Sequence, residues 1–448
     1  MKIKDRRGLN SRLTDPELLC TTKSMRRREF LKHTALTAGT LLLGCQSYGR
    51  QSSANEKLNL GIIGVANRAA SNLAAVSSQN IVALCDVDDD YLRGASQKYP
   101  SATTYNDFRK LLERNDLDAV VVSTPDHIHA PATMMALRRG FHVYCEKPLT
   151  HTVSEARLVA ETARKHKRVT QMGTQIHAEK NYRRVVELVQ SGAIGPVREV
   201  HNWVGSVWAG RPLAAATVPV PPNIHWDLWL GPAPMRPYDP AYLPAHWRGW
   251  WDFGGGAMSD MGCHHIDLSY WALGLRHPVS VEAEGPPVNP QTAPDWLIVH
   301  YEFPARGELP PVKLTWYNGD RRPHYFAEGK LPKWGDGTLF VGEKGMLLAD
   351  YGKHILLPEK DFAGFVPPQP SIPDSIGHHN EWIAACKNNS PTTCNFDYSG
   401  ALAETVLLGN VAYRVGRKLE WDAKRLKATN CHEADALVQH HYRKGWRI

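Results

Sequence analysis

From residue 58 the chain alternates short apolar runs with amphipathic stretches. Residues 58–64 form an apolar run that breaks at Gly64. Val65, Ala66, Asn67 and Arg68 make a tight turn, and the Ala-rich stretch 69–76 has helical character. Residues 81–86 are a second buried-strand run, closing on Asp86. The alternation continues with a helix over 105–114, strands over 117–123, 141–145 and 169–173, and helices over 130–139, 153–167 and 181–191. Regular strand–helix alternation with short loops predicts an α/β fold with a doubly wound parallel Rossmann sheet.

After Gly195-Pro196 the texture changes. Strands over 197–204, 279–283, 297–303, 312–317 and 337–350 lack helical partners. They predict a C-terminal α+β domain with a large open mixed or antiparallel sheet. A Pro- and Trp-rich insertion spans about 209–251, a helix is expected over 398–417, and residues 424–448 read as a tail of polar helical character. The expected organisation is a signal and tether at 1–55, a dinucleotide-binding domain at 56–175, a substrate domain at 176–420 and a tail at 421–448.

Composition changes this picture only at the N-terminus. The formal net charge is +8, of which residues 1–33 carry +6, with ten Lys/Arg against four Asp/Glu. The basic character belongs to that segment, so no nucleic-acid partner is read from it. Arg27-Arg28-Glu29-Phe30-Leu31-Lys32 resembles a twin-arginine export signal. An apolar run over 34–44 is too short to span a bilayer and has the length of a signal core. It ends in Leu42-Leu43-Gly44-Cys45, which resembles a lipoprotein box, so export to the periplasm and membrane anchoring through a lipidated Cys45 are expected. No two cysteines form a C-x-x-C pair; Cys85 and Cys145 end strands and read as packed thiols, and a Cys386–Cys394 bridge is the one disulfide considered.

The chemistry gathers at strand ends, where open α/β sheets bind ligands. Asp86 follows Gly64 by 22 residues, the spacing at which a Rossmann unit places an acid on the adenosine ribose. The turn carries Ala66 and Ala69 where the glycine fingerprint has Gly. The helix N-terminus still favours a pyrophosphate, and Asn67 and Arg68 stand beside it. Thr124-Pro125 and Glu146-Lys147-Pro148 both follow strands and are expected in the same crevice. With His129 and Gln175 they complete the cofactor-binding set.

A second constellation runs from Trp250-Trp251 through Gly254-Gly255-Gly256 to Asp260, His264 and Asp267. Asp260 and His264 are four apart and share a helical face, an arrangement that sets an imidazole's tautomer. The glycines leave room for close approach of a ligand. Trp250, Trp251 and Trp226 offer flat apolar faces to a bound ligand. His127, His129, His264 and His265 supply nitrogen donors, but there is no H-E-x-x-H or Cys cluster, and no metal site is assigned.

Together the dinucleotide turn, Asp86, Glu146-Lys147-Pro148 and Asp260-x-Gly-x-His264 resemble the Gfo/Idh/MocA oxidoreductases over about residues 57–420. The resemblance implies Lys147 as the catalytic lysine, with Asp260 and His264 as its polar partners. It implies an NAD-dependent oxidoreductase acting on a sugar, glycoside or cyclitol carbinol, with His264 as base held by Asp260 and Lys147 on the reacting oxygen, or those two roles exchanged. Asp86 favours NAD over NADP, because a 2′-phosphate beside a carboxylate is repelled. Two alternatives stand beside this reading: a redox-neutral NAD-dependent glycoside hydrolase and a non-catalytic sugar-binding lipoprotein. By family analogy a homo-oligomer is expected.

Overall fold

The computed structural model describes residues 56–439 and 441–447. The export signal and tether expected at 1–55, with Arg27, Arg28 and Cys45, lie outside the described residues.

Six strands form the first sheet: β1 (Asn59–Ile63), β2 (Asn80–Cys85), β3 (Thr103–Tyr105), β4 (Ala119–Val122), β5 (His142–Cys145) and β6 (Thr170–Met172). Their order is β3-β2-β1-β4-β5-β6, and every pair is parallel. β4 is buried at all four positions, as strands covered on both faces must be. The order reverses between β1 and β4, so the crevice opens where Gly64 ends β1 and Ser123 follows β4.

The second sheet has nine strands: β7 (Val197–Val204), β8 (Ser280–Glu284), β9 (Ile298–Phe303), β10 (Val312–Asn318), β11 (Gly337–Gly342), β12 (Gly345–Ala349), β13 (His354–Leu357), β14 (Leu419–Asp422) and β15 (Lys427–Ala428). Its order is β13-β12-β11-β7-β10-β9-β8-β14-β15. Only β7 and β10 are parallel. The Gly256–Leu273 helix packs on β7, β10 and β11, and the Phe396–Val415 helix joins it to the Val153–His166 helix of the first layer. Across that joint Arg157 pairs with Glu404 at 2.7 Å. Asn202 on β7 donates to His265 O, Ser269 Oγ and Thr338 Oγ1, which sets the long helix in register on the sheet. The opposite face is partly covered by the chain itself: Tyr325, Phe326, Leu331 and Trp334 pack over Trp203, Tyr317 and Leu339.

Several local expectations shift. The helix expected over 105–114 is one turn, Phe108–Leu111, after the edge strand β3. The Asp89–Lys98 helix was not anticipated, although Asp88 caps it through the Asp90 and Tyr91 N–H groups. Residues 337–350 fold as a hairpin of β11 and β12. The late helix runs Phe396–Val415, capped by Asn395 and closed by Gly416 in the left-handed region. Among its described residues the tail is helical only over the 3-10 turn His432–Ala434 and the short helix Asp435–Val438. Its apolar residues Val438 and Trp446 are buried, and β15 pairs with β14, so the chain takes an extended course. Cys386 and Cys394 are free buried thiols, not a disulfide.

Candidate active site

A cleft of about 960 Å³ runs between the strand ends of the first sheet and the Gly256–Leu273 helix. Its floor begins at Gly64, with φ +87°; a Cβ there would stand 2.4 Å from Ser123 O, so glycine is required where β1 meets β4. Asn67 supplies the turn's other positive φ, 54°, and the Arg68–Ala75 helix that follows carries no side-chain cap and no acid in its first turn. Ala66, Asn67 and Arg68 line the cleft. The Ala substitutions therefore leave an anion-favouring helix end facing the cavity.

Asp86 lies at the end of β2. Its carboxylate accepts from the Val65 N–H at 3.0 Å and the Asp88 N–H at 3.1 Å. Burial raises its pKa to about 6, against the lowering effect of those hydrogen bonds. Glu146 ends β5 and is buried; Oε1 accepts from Asn72 Nδ2 (2.8 Å), Gln175 Nε2 (2.8 Å) and Arg68 Nε (3.2 Å). It is thus a bracket that joins the turn, the β5 loop and the β6 loop. Thr124, Pro125, Glu146, Lys147 and Gln175 all line the cleft. His129 does not. It is buried, with Nδ1 2.6 Å from Pro148 O and Nε2 2.8 Å from Thr124 O, and it ties the two strand-end loops together from behind.

At the centre, Lys147 Nζ donates to Asp260 Oδ1 at 2.7 Å and to Asp260 O at 2.6 Å. Asp260 also accepts from Arg248 Nε at 2.8 Å and Trp208 Nε1 at 2.8 Å. Burial alone would raise this carboxyl; the charges and hydrogen bonds of Lys147 and Arg248 outweigh it and hold the group well below the usual carboxylate range. Asp260 makes no hydrogen bond to His264, so the expected Asp–His pair is replaced by an Asp–Lys–Arg cluster. The carboxylate's acceptor sites are taken by cations that the packing brings closer. His264 lines the same cleft, half-buried, with Nδ1 free of any hydrogen-bond partner. Burial and the Lys147 charge lower its pKa well below that of a free histidine, so the imidazole is neutral at pH 7.

The aromatic expectation is corrected. Trp250 is buried in a cluster with Trp229, Tyr242 and Phe253, and Trp251 donates to Asn289 O and packs beside Tyr413; neither lines the cleft, nor does Trp226. Trp208, Trp229 and Trp247 line it instead. The glycine run serves packing rather than a ligand. A Cβ on Gly254 would stand 2.8 Å from Arg248 Cα, and one on Gly256, at φ +65°, 2.6 Å from Ala293 Cβ. Gly262 likewise faces Val406, not open space. Asp267 turns away from the cleft to His177 Nδ1 (2.9 Å) and Tyr398 OH (2.6 Å).

Three contributors escaped the sequence reading. Arg248 and Trp208 sit in the irregular insertion, where no periodicity marks a face. Asp126 directly follows Thr124-Pro125, and that position was the available signal. It is buried on the cleft wall, and burial raises its carboxyl to about 8, with the Asp260 charge adding to the rise and Arg248 and Lys147 opposing it.

Two family models match the chain in sequence: an oxidoreductase family with an NAD-binding Rossmann fold over residues 58–174, and the C-terminal alpha/beta domain of the same family, Gfo/Idh/MocA, over 180–310. The chain belongs to the Gfo/Idh/MocA oxidoreductase family. It is 32% identical over 168 residues to an inositol 2-dehydrogenase of Salmonella typhimurium, covering 36% of this chain and 48% of that protein. It is 35% identical over 156 residues to a glycosyl hydrolase family 109 protein of Saccharopolyspora erythraea, covering 32% and 34%. The chain thus matches about half the length of the first relative and a third of the second. The fold is similar to that of the WlbA dehydrogenase of Bordetella pertussis, solved with NADH and UDP-GlcNAcA, at a TM-score of 0.58 and 17% identity, over 82% of this chain and 99% of that one. NAD is the cofactor of this Rossmann domain, and the residues fit it: a Cβ-free approach at Gly64, an uncapped helix end, and a carboxylate at the end of β2.

Proposed function

We propose that this protein is an NAD-dependent oxidoreductase that takes hydride from, or returns it to, a carbinol carbon of a sugar, glycoside or cyclitol. The observation that carries this reading is the Lys147–Asp260–Arg248 cluster beside His264, set in the cleft that Gly64 and Asp86 also line. Bound NAD supplies the hydride acceptor at its nicotinamide ring. The chain supplies the rest. Two of the three Lys147 N–H bonds are held by Asp260, which aims the third at a substrate oxygen. One carboxylate between two cations leaves the cluster net positive, which stabilises developing alkoxide charge. His264, which lines the cleft and is neutral, is the group that accepts the hydroxyl proton. Trp208 forms a wall of the substrate end and braces Asp260.

The test is the mass of any cofactor carried by the full-length protein, followed by a saccharide and cyclitol panel read by nicotinamide absorbance. Failure to bind NAD in any form would sink the proposal.

A second reading, redox-neutral cleavage of a glycoside, is favoured by the relative named as a family 109 glycosyl hydrolase. Aglycone release without net NADH formation would select it over the first. Loss of turnover in Lys147→Ala with sugar binding retained would argue against the remaining alternative, a non-catalytic sugar-binding protein. Export and lipid anchoring through Cys45 belong to this proposal, supported by Arg27-Arg28 and the Cys45 box. Fractionation of cells expressing Cys45→Ser tests them. The expected homo-oligomer is tested by sedimentation.

A further inference from the structure

The adenosine end of the cleft is roofed by chain from outside the Rossmann sheet. Residues 221–225, inside the insertion between β7 and the Gly256–Leu273 helix, cross the end of β2. The Asp89 N–H donates to Asn223 O and the His225 N–H to Val87 O, each at 2.9 Å, so Asp88 and Ile224 pair as an antiparallel bridge. Side chains repeat the link. Asn223 Nδ2 donates to Asp88 Oδ1 at 2.9 Å, and His225 Nε2 lies 3.1 Å from Asp89 Oδ1. This strap is attached immediately after Asp86, and Pro221, Asn223 and Ile224 form the wall facing it.

The strap continues into the Trp226–Leu230 helix, which the C-terminal tail holds from outside. Arg443 pairs with Asp227, and its Nε donates to Gly231 O at 2.9 Å. The Arg443 N–H donates to Pro232 O at 3.0 Å. Three residues on, Trp446 is buried against Phe108, with ring centroids 5.8 Å apart, and under Arg109 at 4.5 Å. Phe108 itself lines the cleft. The strap therefore closes one end of the cavity and the tail holds it from outside, each anchored on the Rossmann side.

We infer that the 221–225 strap, latched by Arg443 and Trp446, is part of the NAD site, and that it holds the adenosine half in place through successive turnovers. The inference rests on the NAD reading above. The roof makes backbone hydrogen bonds to the residues flanking Asp86, so a dinucleotide seated on Asp86 leaves only when the strap or its latch opens. Opening of such elements, rather than chemistry, then sets the rate at which cofactor exchanges. Neither Arg443 nor Asp227 lines the cleft, so loosening the latch changes retention without removing a group that touches the cofactor.

The experiment loads the full-length protein with radiolabelled NAD, chases with excess unlabelled NAD and follows retained label by rapid gel filtration. Wild type is expected to keep its label for many minutes. Arg443→Ala and Asp227→Asn are each expected to lose it at least tenfold faster, with thermal melting showing that both variants remain folded. A wild type that exchanges within seconds, or folded variants that exchange as slowly as wild type, would overturn the inference. A wild type that binds no NAD at all overturns the NAD reading itself, a distinct outcome.

Discussion

Lys147 Nζ stands 2.7 Å from Asp260 Oδ1, and both side chains are about nine-tenths buried. The ammonium at the end of β5 is thereby fixed by a carboxylate from a helix packed on the other sheet. Arg248 binds the same Oδ1 at 2.8 Å, so two cations share one acceptor. A lysine held this way has one direction left in which to donate, and the cleft lies there.

Lys147→Ala should lower kcat by roughly 10²- to 10⁴-fold, the range for a positioned polar group acting on developing charge. Steady-state rates on the saccharide identified by the panel provide the check. Wild-type turnover in this variant would remove Lys147 from the chemistry.

Asp260→Asn should destabilise the fold by roughly 3 kcal/mol, because it leaves two buried cations without their counter-ion. The Asp260 pKa is depressed in the folded state. Its contribution is therefore full above the unfolded value, about 4, and is lost as pH falls through the lower folded value. Urea midpoints against pH should show wild type losing this increment on the acid side. The difference between wild type and variant should shrink there; a constant difference down to the lowest pH would contradict the assignment.

NAD affinity should depend on Asp86. A carboxyl with a pKa of about 6 must ionise to accept from ribose hydroxyls. Affinity should then fall roughly tenfold at pH 5, where about a tenth of the group is ionised. Asp86→Asn should bind weakly with a flat profile, as fluorescence titration would show. Linkage in the free protein has the opposite sense. A raised carboxyl pKa means stability is lost as pH rises from about 4 through 6.

The two tryptophan environments predict different phenotypes. Trp208→Ala should impair kinetics, since it opens the cleft wall and removes a donor to Asp260. Trp251→Ala should instead lower stability by about 3–5 kcal/mol, the usual cost of truncating a buried tryptophan. Melting curves alongside KM values separate them. A Trp251→Ala protein of unchanged stability but raised KM would reverse the placement.

Much of the fold was legible in the chain, because parallel strands buried on both faces appear as continuous apolar runs and their covering helices as amphipathic ones. β4 and β5, with Thr124-Pro125 and Glu146-Lys147 directly after them, stand where the pattern placed them. The expectations that failed had weaker local support. The tail lacks a single apolar face, and its Val438 and Trp446 are each buried by remote partners. The Trp pair and glycine run looked like a ligand surface, yet Trp250 packs on Tyr242 and Gly256 on Ala293. A residue type suited to close contact does not say what it contacts.

The chain by itself determined the doubly wound sheet, the Gly64 turn, the acid at the end of β2 and a lysine at the end of β5. Each follows from hydrogen bonding and burial within a few tens of residues. Only the tertiary structure decided that Asp260 holds Lys147 rather than His264, that Arg248 and Trp208 join them, and that residues 221–225 roof the adenosine end. Those contacts link positions more than a hundred residues apart or lie in segments without periodicity. Their partners are chosen by how helices and loops pack on the two sheets, which no local pattern of apolar and polar residues encodes.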